Sequence, residues 1–340
     1  MTATMAPLTS LLEPVTIAGL PLRGRFAMAP MTRYHSPGGV PTAEVAAYYR
    51  RRAEGGVGLI ITEGILVDHP SAGHETDVPR LTRGPAEQGW RLVTSEVHAA
   101  GGRIAAQLWH QGSERGRDAW TPMSMKGKDF EILLNAYAGG ARTAVRAGFD
   151  AIEIHAAHGY LLDEFLWPLS NRRTDRYGGT VRNRAAFPAE VIRAVRHEMP
   201  AGMPLVVRFS QFKERDFGAR IADTPAELAT VLDSFVTAGA DVLHASQRRF
   251  WEPAFDGDRR NLAGWAKHLT GLPTITVGSV GLHHDPARLA ELAARREDGE
   301  FDLVALGRIL LGNPGWVRLA ASGRFGEIRD YRKSDEETYF

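Results

Sequence analysis

The chain has 340 residues, 44% of them apolar and 24% charged, with a formal net charge of +1. That length holds one large domain or two ordinary ones, and the charge balance argues against nucleic acid and against an anionic membrane as partners. The absence of cysteine excludes disulfides and thiolate-held iron–sulfur clusters and fits a reducing compartment.

Residues 1–13 have neither a basic start nor a long apolar core, so no secretory signal is expected there. No run of about 18 apolar residues is available to span a membrane, and a cytoplasmic address is the expectation. Residues 14–22 alternate apolar side chains around Gly19, which is a small hairpin signal. Apolar runs then follow at fairly regular spacing: 25–29, 57–62, 103–109, 151–155, 205–210, 241–245, 274–278 and 303–307. Between most of them lie segments with helical periodicity, such as 184–198, 225–238 and 286–296, and helices commonly close at glycine, as at Gly101, Gly148 and Gly239. Alternating strands and helices on this scale predict an α/β protein, a single (β/α)8 TIM barrel with an N-terminal β-hairpin. We expect one domain over 1–340, with the barrel at about 24–320 and a short tail, 321–340. A doubly wound sheet is the weaker alternative, because no strand leads into Gly-x-Gly-x-x-Gly before a helix, and no Walker-type loop is present.

In a β/α barrel the chemistry sits where strands end and the following loops begin. Those ends carry Thr32 and Tyr34, Glu63-Gly64, Gln107 and Trp109, His155 and His158, Arg208, Gly278-Ser279, and Gly307-Arg308. The most informative stretch is His155-Ala156-Ala157-His158-Gly159-Tyr160-Leu161-Leu162, directly after the apolar run Ala151-Ile152-Glu153-Ile154. Two imidazoles and a phenol close to one point suit a substrate whose oxygen gains negative charge while a neighbouring carbon takes a proton. A metal pair is the competing reading, but zinc needs a third and usually a fourth ligand, so no metal is expected; structural histidines under a loop are the other alternative. Arg208, inside Val206-Val207-Arg208-Phe209, must either meet a carboxylate or face an anionic ligand. The glycine turns at Gly278 and Gly307, with Arg308 beside the second, suit a phosphate approached by backbone N–H groups. Lys126, Lys128, Lys213, Lys267 and Lys333 all read as loop or helix residues rather than strand interiors, which argues against a Schiff-base lyase.

The ordered set of motifs resembles the old yellow enzyme family, flavin-dependent ene-reductases on a β/α barrel. The resemblance runs from about Pro14 to Pro314. It rests on Met28-Ala29-Pro30-Met31-Thr32-Arg33, Leu59-Ile60-Ile61-Thr62-Glu63-Gly64, Gln107-Leu108-Trp109-His110 and the His155–Leu162 stretch with Asn171-Arg172-Arg173-Thr174-Asp175-Arg176-Tyr177-Gly178-Gly179. Asp302-Leu303-Val304-Ala305-Leu306-Gly307-Arg308 with Asn313-Pro314 closes the series.

The resemblance implies a non-covalent FMN reduced by NADPH or NADH, and a small enone or nitroalkene as the second substrate. It implies that Ala29, Pro30, Met31 and Thr32 lie beside the flavin, with Gly64 and Gln107 at its edge and Arg208 at its pyrimidine end. Gly278, Gly307 and Arg308 would hold the phosphate. His155 and His158 would grip the substrate oxygen, Tyr160 would deliver the proton, and Tyr34 and Trp109 would line the pocket. A nitro-compound reductase and a dienoyl reductase relative without the iron–sulfur domain are the alternatives, and a homodimer is left open as the assembly. Compared with the family pattern, residues 111–128 are short, which lowers one wall of the pocket, and the chain stops at Tyr339-Phe340, which puts in doubt an aromatic supplied by a tail. Phe250, Trp251 and Phe255 read either as a lid or as rim packing. Arg248, Arg249, Arg259 and Arg260 read either as an NADPH phosphate site or as a solvated loop.

Overall fold

The computed structural model describes residues 8–339; residues 1–7, part of the stretch expected to carry no secretory signal, and Phe340 lie outside the described residues. A one-turn helix α1 (Thr9–Leu12) leads into the hairpin β1 (Val15–Ile17) and β2 (Leu20–Leu22), which pair antiparallel. The chain continues through β3 (Phe26–Met28), α2 (Ala43–Glu54), β4 (Leu59–Leu66), α3 (Pro85–Ala99), β5 (Arg103–Trp109), α4 (Asp129–Ala147) and β6 (Ala151–His158). Then come α5 (Leu161–Leu166), α6 (Val181–His197), β7 (Leu205–Lys213), α7 (Pro225–Thr237), β8 (Val242–Ser246), α8 (Leu262–Thr270) and β9 (Thr274–Val277). The series ends with α9 (Pro286–Glu297), β10 (Leu303–Leu306), α10 (Ile309–Gly312) and α11 (Trp316–Ala321).

Strands β3 to β10 close into a parallel barrel, with β10 returning to β3. The expected (β/α)8 barrel with its hairpin is what the chain forms. Helix starts are set by side-chain caps: Thr42, Thr180, Thr224, Asn261 and Asp285 each accept a backbone N–H from the first turn of the following helix. Helix α4 stops where Gly148 adopts φ 86°.

Strand periodicity organises the barrel interior in layers. At the lower end Ala27, Leu59, Ala105, Ala151, Val206, Val242, Ile275 and Leu303 form one apolar cluster, which Ile17 and Leu22 of the hairpin join from below. The hairpin is therefore the plug of the barrel. Two residues further along, the same parity brings Gln107, Glu153, Arg208 and His244 inward, all buried. Two residues further still come Trp109, His155, Ser210 and Ser246, at the end where the βα loops begin.

Two expectations change. Phe250 and Phe255 are buried, 1% and 7% exposed, so they are core residues under the loop and not a lid. Lys213 is the last residue of β7, buried, and not a loop residue. The strand outlasts its apolar run because Lys213 is neutralised where it lies, as described below. Among the described residues no helix is long and apolar enough to cross a membrane.

Candidate active site

The polar layer comes first, since it fixes what lies above it. Gln107 donates its side-chain amide to Glu153 (2.8 Å), and the other oxygen of Glu153 accepts from His244 Nδ1 (2.6 Å). Glu153 is thus engaged by neutral and imidazole donors, and Arg208 next to it has no carboxylate partner among the described residues. Among the described residues its side chain makes one hydrogen bond, a long contact from Nη2 to Ser246 Oγ (3.5 Å), and its buried Nε meets no partner. A guanidinium 6% exposed and left in this condition is costly unless something outside the chain completes it. Of the two readings open in the sequence, the ligand is favoured.

Above it sit the two histidines. In a straight strand, residues three apart point to opposite faces. The pairing of β6 with β7 shifts register between Ala156 and His158, and His158 takes φ 69°, so both imidazoles come to the same end of the barrel. Their centroids are 5.2 Å apart and nearly perpendicular. His155 Nδ1 is buried and has no partner among the described residues, whereas His158 Nε2 meets Ser246 Oγ at 2.7 Å. Burial first, then the charge of Arg208, pushes both imidazoles well below the ordinary histidine range, so both are neutral.

Tyr160 packs edge-on against Trp109 and against His155, at 5.0 Å in each case. Its hydroxyl reaches Glu214 at 3.5 Å. Burial, then the nearby Glu214, pushes the phenol upward, so it stays protonated across the neutral range. A side chain on Gly64 would come within 2.6 Å of the Trp109 ring, which explains the glycine by close packing.

Beside this cluster opens a cavity of about 1120 Å³. Of the residues singled out in the sequence, Ala29, Pro30, Met31, His158, Arg208, Gly278, Gly307 and Arg308 line it. At Gly307 a Cβ would meet nothing nearer than 4.0 Å, so the missing side chain leaves open space in the cavity wall. At Gly278 the reason is different: a Cβ would fall 2.7 Å from the Gln247 carbonyl. Trp109, His155 and Tyr160 form the adjoining aromatic group; Gln107 lies a layer below it, Thr32 is half-buried, and Tyr34 stands 58% exposed at φ 57°.

Several residues escaped the sequence reading. Ser246, between His158 and Arg208, and the Glu153–His244 pair were accessible by counting alternate residues along their strands. Tyr331, Lys333 and Glu336 also line the cavity, with Arg308 lying 5.1 Å over the Tyr331 ring. The doubt about a tail-supplied aromatic is thereby corrected: the tail does bring one to the cavity. Its anchors are long-range, from Asn313 to Arg329 (2.9 Å) and from Arg33 to the Thr338 carbonyl, and Tyr339 is stacked on His35 and Tyr48. No local periodicity announces contacts of that range.

Comparison with known proteins agrees with this geometry. The sequence pattern of the NADH:flavin oxidoreductase / NADH oxidase family matches residues 10–121 and 114–327. An NADPH dehydrogenase of Clostridium acetobutylicum is 33% identical over 96% of this chain and 98% of its own. The chain belongs to the old yellow enzyme family. As such it is an NAD(P)H-dependent FMN oxidoreductase. An NADH oxidase of Thermoanaerobacter brockii is 32% identical over 92% of this chain, which spans 51% of that longer protein. Among solved structures, the old yellow enzyme homologue of Zymomonas mobilis superposes with a TM-score of 0.83 at 25% identity, covering 97% of each chain. The cavity fits FMN: it has the volume, a buried cation without a carboxylate, and an open glycine cradle beside Arg308.

Proposed function

We propose that the chain is an ene-reductase that uses NADPH or NADH to reduce the C=C bond of α,β-unsaturated carbonyls or nitroalkenes. FMN, when bound, supplies the hydride chemistry through N5 of its ring system. Arg208 would hold the pyrimidine end, and Gly278, Gly307 and Arg308 the phosphate. Ala29, Pro30, Met31 and Thr32 would flank the ring, with Gly64 and Gln107 toward its edge. A buried cation at the pyrimidine end favours the negative charge that develops there on reduction.

His155 and His158 then act on the second substrate. A Ser246 oxygen that accepts from Arg208 has its own hydrogen free for His158 Nε2. That arrangement puts the imidazole proton on Nδ1, where it can be donated to a substrate oxygen. His155 Nδ1, buried and without a partner among the described residues, is suited to the same oxygen. Neutral donors stabilise the developing enolate or nitronate charge as an oxyanion hole does. Tyr160 delivers the proton to the α-carbon, while Tyr34 and Trp109 bound the pocket.

The observation that carries this reading is the cluster itself: two neutral imidazoles and a protonated phenol packed together at the edge of the cavity. Tyr160→Phe keeps the ring and its packing on Trp109 but removes the acid. In stopped flow, flavin reduction by NADPH should change little, while reoxidation by cyclohexenone should slow by about 10²–10⁴-fold, the usual worth of a positioned general acid. Nitroalkenes should suffer less, because a nitronate is stable enough to leave and take its proton from water. Equal losses in both half-reactions, or none with cyclohexenone, would remove Tyr160 from the mechanism.

A further inference from the structure

The proton-donor turn, His158-Gly159-Tyr160, is an unusual piece of backbone. His158 and Gly159 both have positive φ, 69° and 93°, in succession at the end of β6. Histidine pays for that conformation, so surrounding contacts must hold it. Directly against the turn lies an ion pair that the proposed chemistry does not use. Lys213 Nζ meets Asp163 Oδ2 at 2.6 Å, with the side chains 4% and 0% exposed.

The pair is wired into the turn on each side. The same Oδ2 accepts the backbone N–H of Gly159 at 2.7 Å. Lys213 is the register partner of His158 across the β6–β7 bulge, and the next residue, Glu214, donates its N–H to the His158 carbonyl (3.2 Å). Lys213 Nζ also donates to the Gln211 carbonyl (3.2 Å), and the Trp167 ring lies 5.7 Å from it. The carboxylate on α5 and the ammonium on β7 therefore close a loop of bonds around Gly159. Removing water from two charges is expensive, and a structure needing only stability would do as well with apolar side chains there.

We propose that Asp163 and Lys213 are positioning residues that clamp the His158-Gly159-Tyr160 turn, setting where the imidazole donor and the phenol acid stand over the cavity. This rests on the roles given above to His158 and Tyr160. Neither residue is among those lining the cavity; the pair acts through the backbone of the turn.

Asp163→Leu combined with Lys213→Met removes both charges together and leaves none buried alone, so the barrel should keep its FMN. Flavin reduction by NADPH should stay within about twofold of wild type. Reoxidation by cyclohexenone and the affinity for a phenol such as 4-nitrophenol should each fall by about ten- to a hundredfold, the loss expected when donors are displaced by a fraction of an ångström to an ångström. Asp163→Asn combined with Lys213→Met keeps an acceptor for the Gly159 N–H with no charge left buried, and should lose far less in both readouts. Wild-type reoxidation and wild-type phenol affinity in the Asp163→Leu, Lys213→Met variant would overturn the proposal. So would its failure to fold or to take up FMN, since the pair would then hold the barrel rather than the turn. Should Tyr160→Phe prove silent, the acid role falls, yet phenol affinity still reads the placement of His158 and still decides the clamp.

Discussion

At the scale of single residues, the site is governed by what burial does to charge. Burial first, and then repulsion from Arg208, holds the imidazoles of His155 and His158 neutral, the state in which the proposed chemistry uses them as donors without their becoming acids. A phenol bound as its phenolate should be held by the same donors and give a long-wavelength charge-transfer band with the flavin. Losing one donor to a charged oxygen is worth about 1.5–3 kcal/mol. His155→Ala and His158→Ala should each weaken phenol binding roughly ten- to a hundredfold, as read from titration of that band. Unchanged affinity in both variants would make the histidines structural. The residue types and their spacing were legible in the sequence. Strand alternation turns Ser246 inward, but its partners were not legible: its hydroxyl bridges His158 and Arg208 from another strand, and a serine in an apolar run carries no signal of what it meets.

At the scale of elements, irregularities of the strands matter more than their regular parts. Besides the bulge in β6, β4 shifts register against β5 between Ile61 and Gly64, and Glu63 lies within that irregularity. Its carboxyl accepts from the backbone N–H of Arg33 (3.0 Å) and contacts the Tyr49 hydroxyl, so it ties the loop after β3 to α2. Complete burial outweighs these bonds and pushes the carboxyl up to about 7. A folded-state value above the unfolded one means that the native state holds the proton more tightly. The contribution of Glu63 to stability is therefore fully present below the unfolded value and declines as pH rises toward and through 7. By linkage the loss amounts to about 3 kcal/mol between pH 4 and pH 8. Glu63→Gln should accordingly be less dependent on pH than wild type, gaining on it by up to about that amount between pH 5 and 8 in denaturant titrations. A constant difference between the two proteins across that range would show that the carboxyl titrates normally.

At the scale of the molecule, the two ends of the barrel have separate duties. The hairpin and the apolar layer above it carry stability, whereas the loop end carries the site. Leu22, 3% exposed at the plug, can be tested on this division. Leu22→Ala should cost about 2–5 kcal/mol of stability, measured by denaturant unfolding, while leaving phenol affinity and the rate of flavin reduction as in wild type. A matching loss in the flavin kinetics would show that the plug communicates with the site.

The sequence by itself determined the barrel, because alternating apolar runs and capped amphipathic segments have few other ways to bury their faces. It also determined the chemical inventory, since histidine, tyrosine, arginine and glycine at strand ends can be read off by position. The tertiary structure alone decided which of these meet. The His-x-x-His pair converges only because a bulge reverses the parity of β6, and Lys213 becomes a buried strand residue only because Asp163 waits on α5. The tail reaches the cavity through Tyr331 by way of contacts with Leu282 and Asn313. Each of these depends on partners distant in the chain, and local propensity and periodicity report only on neighbours.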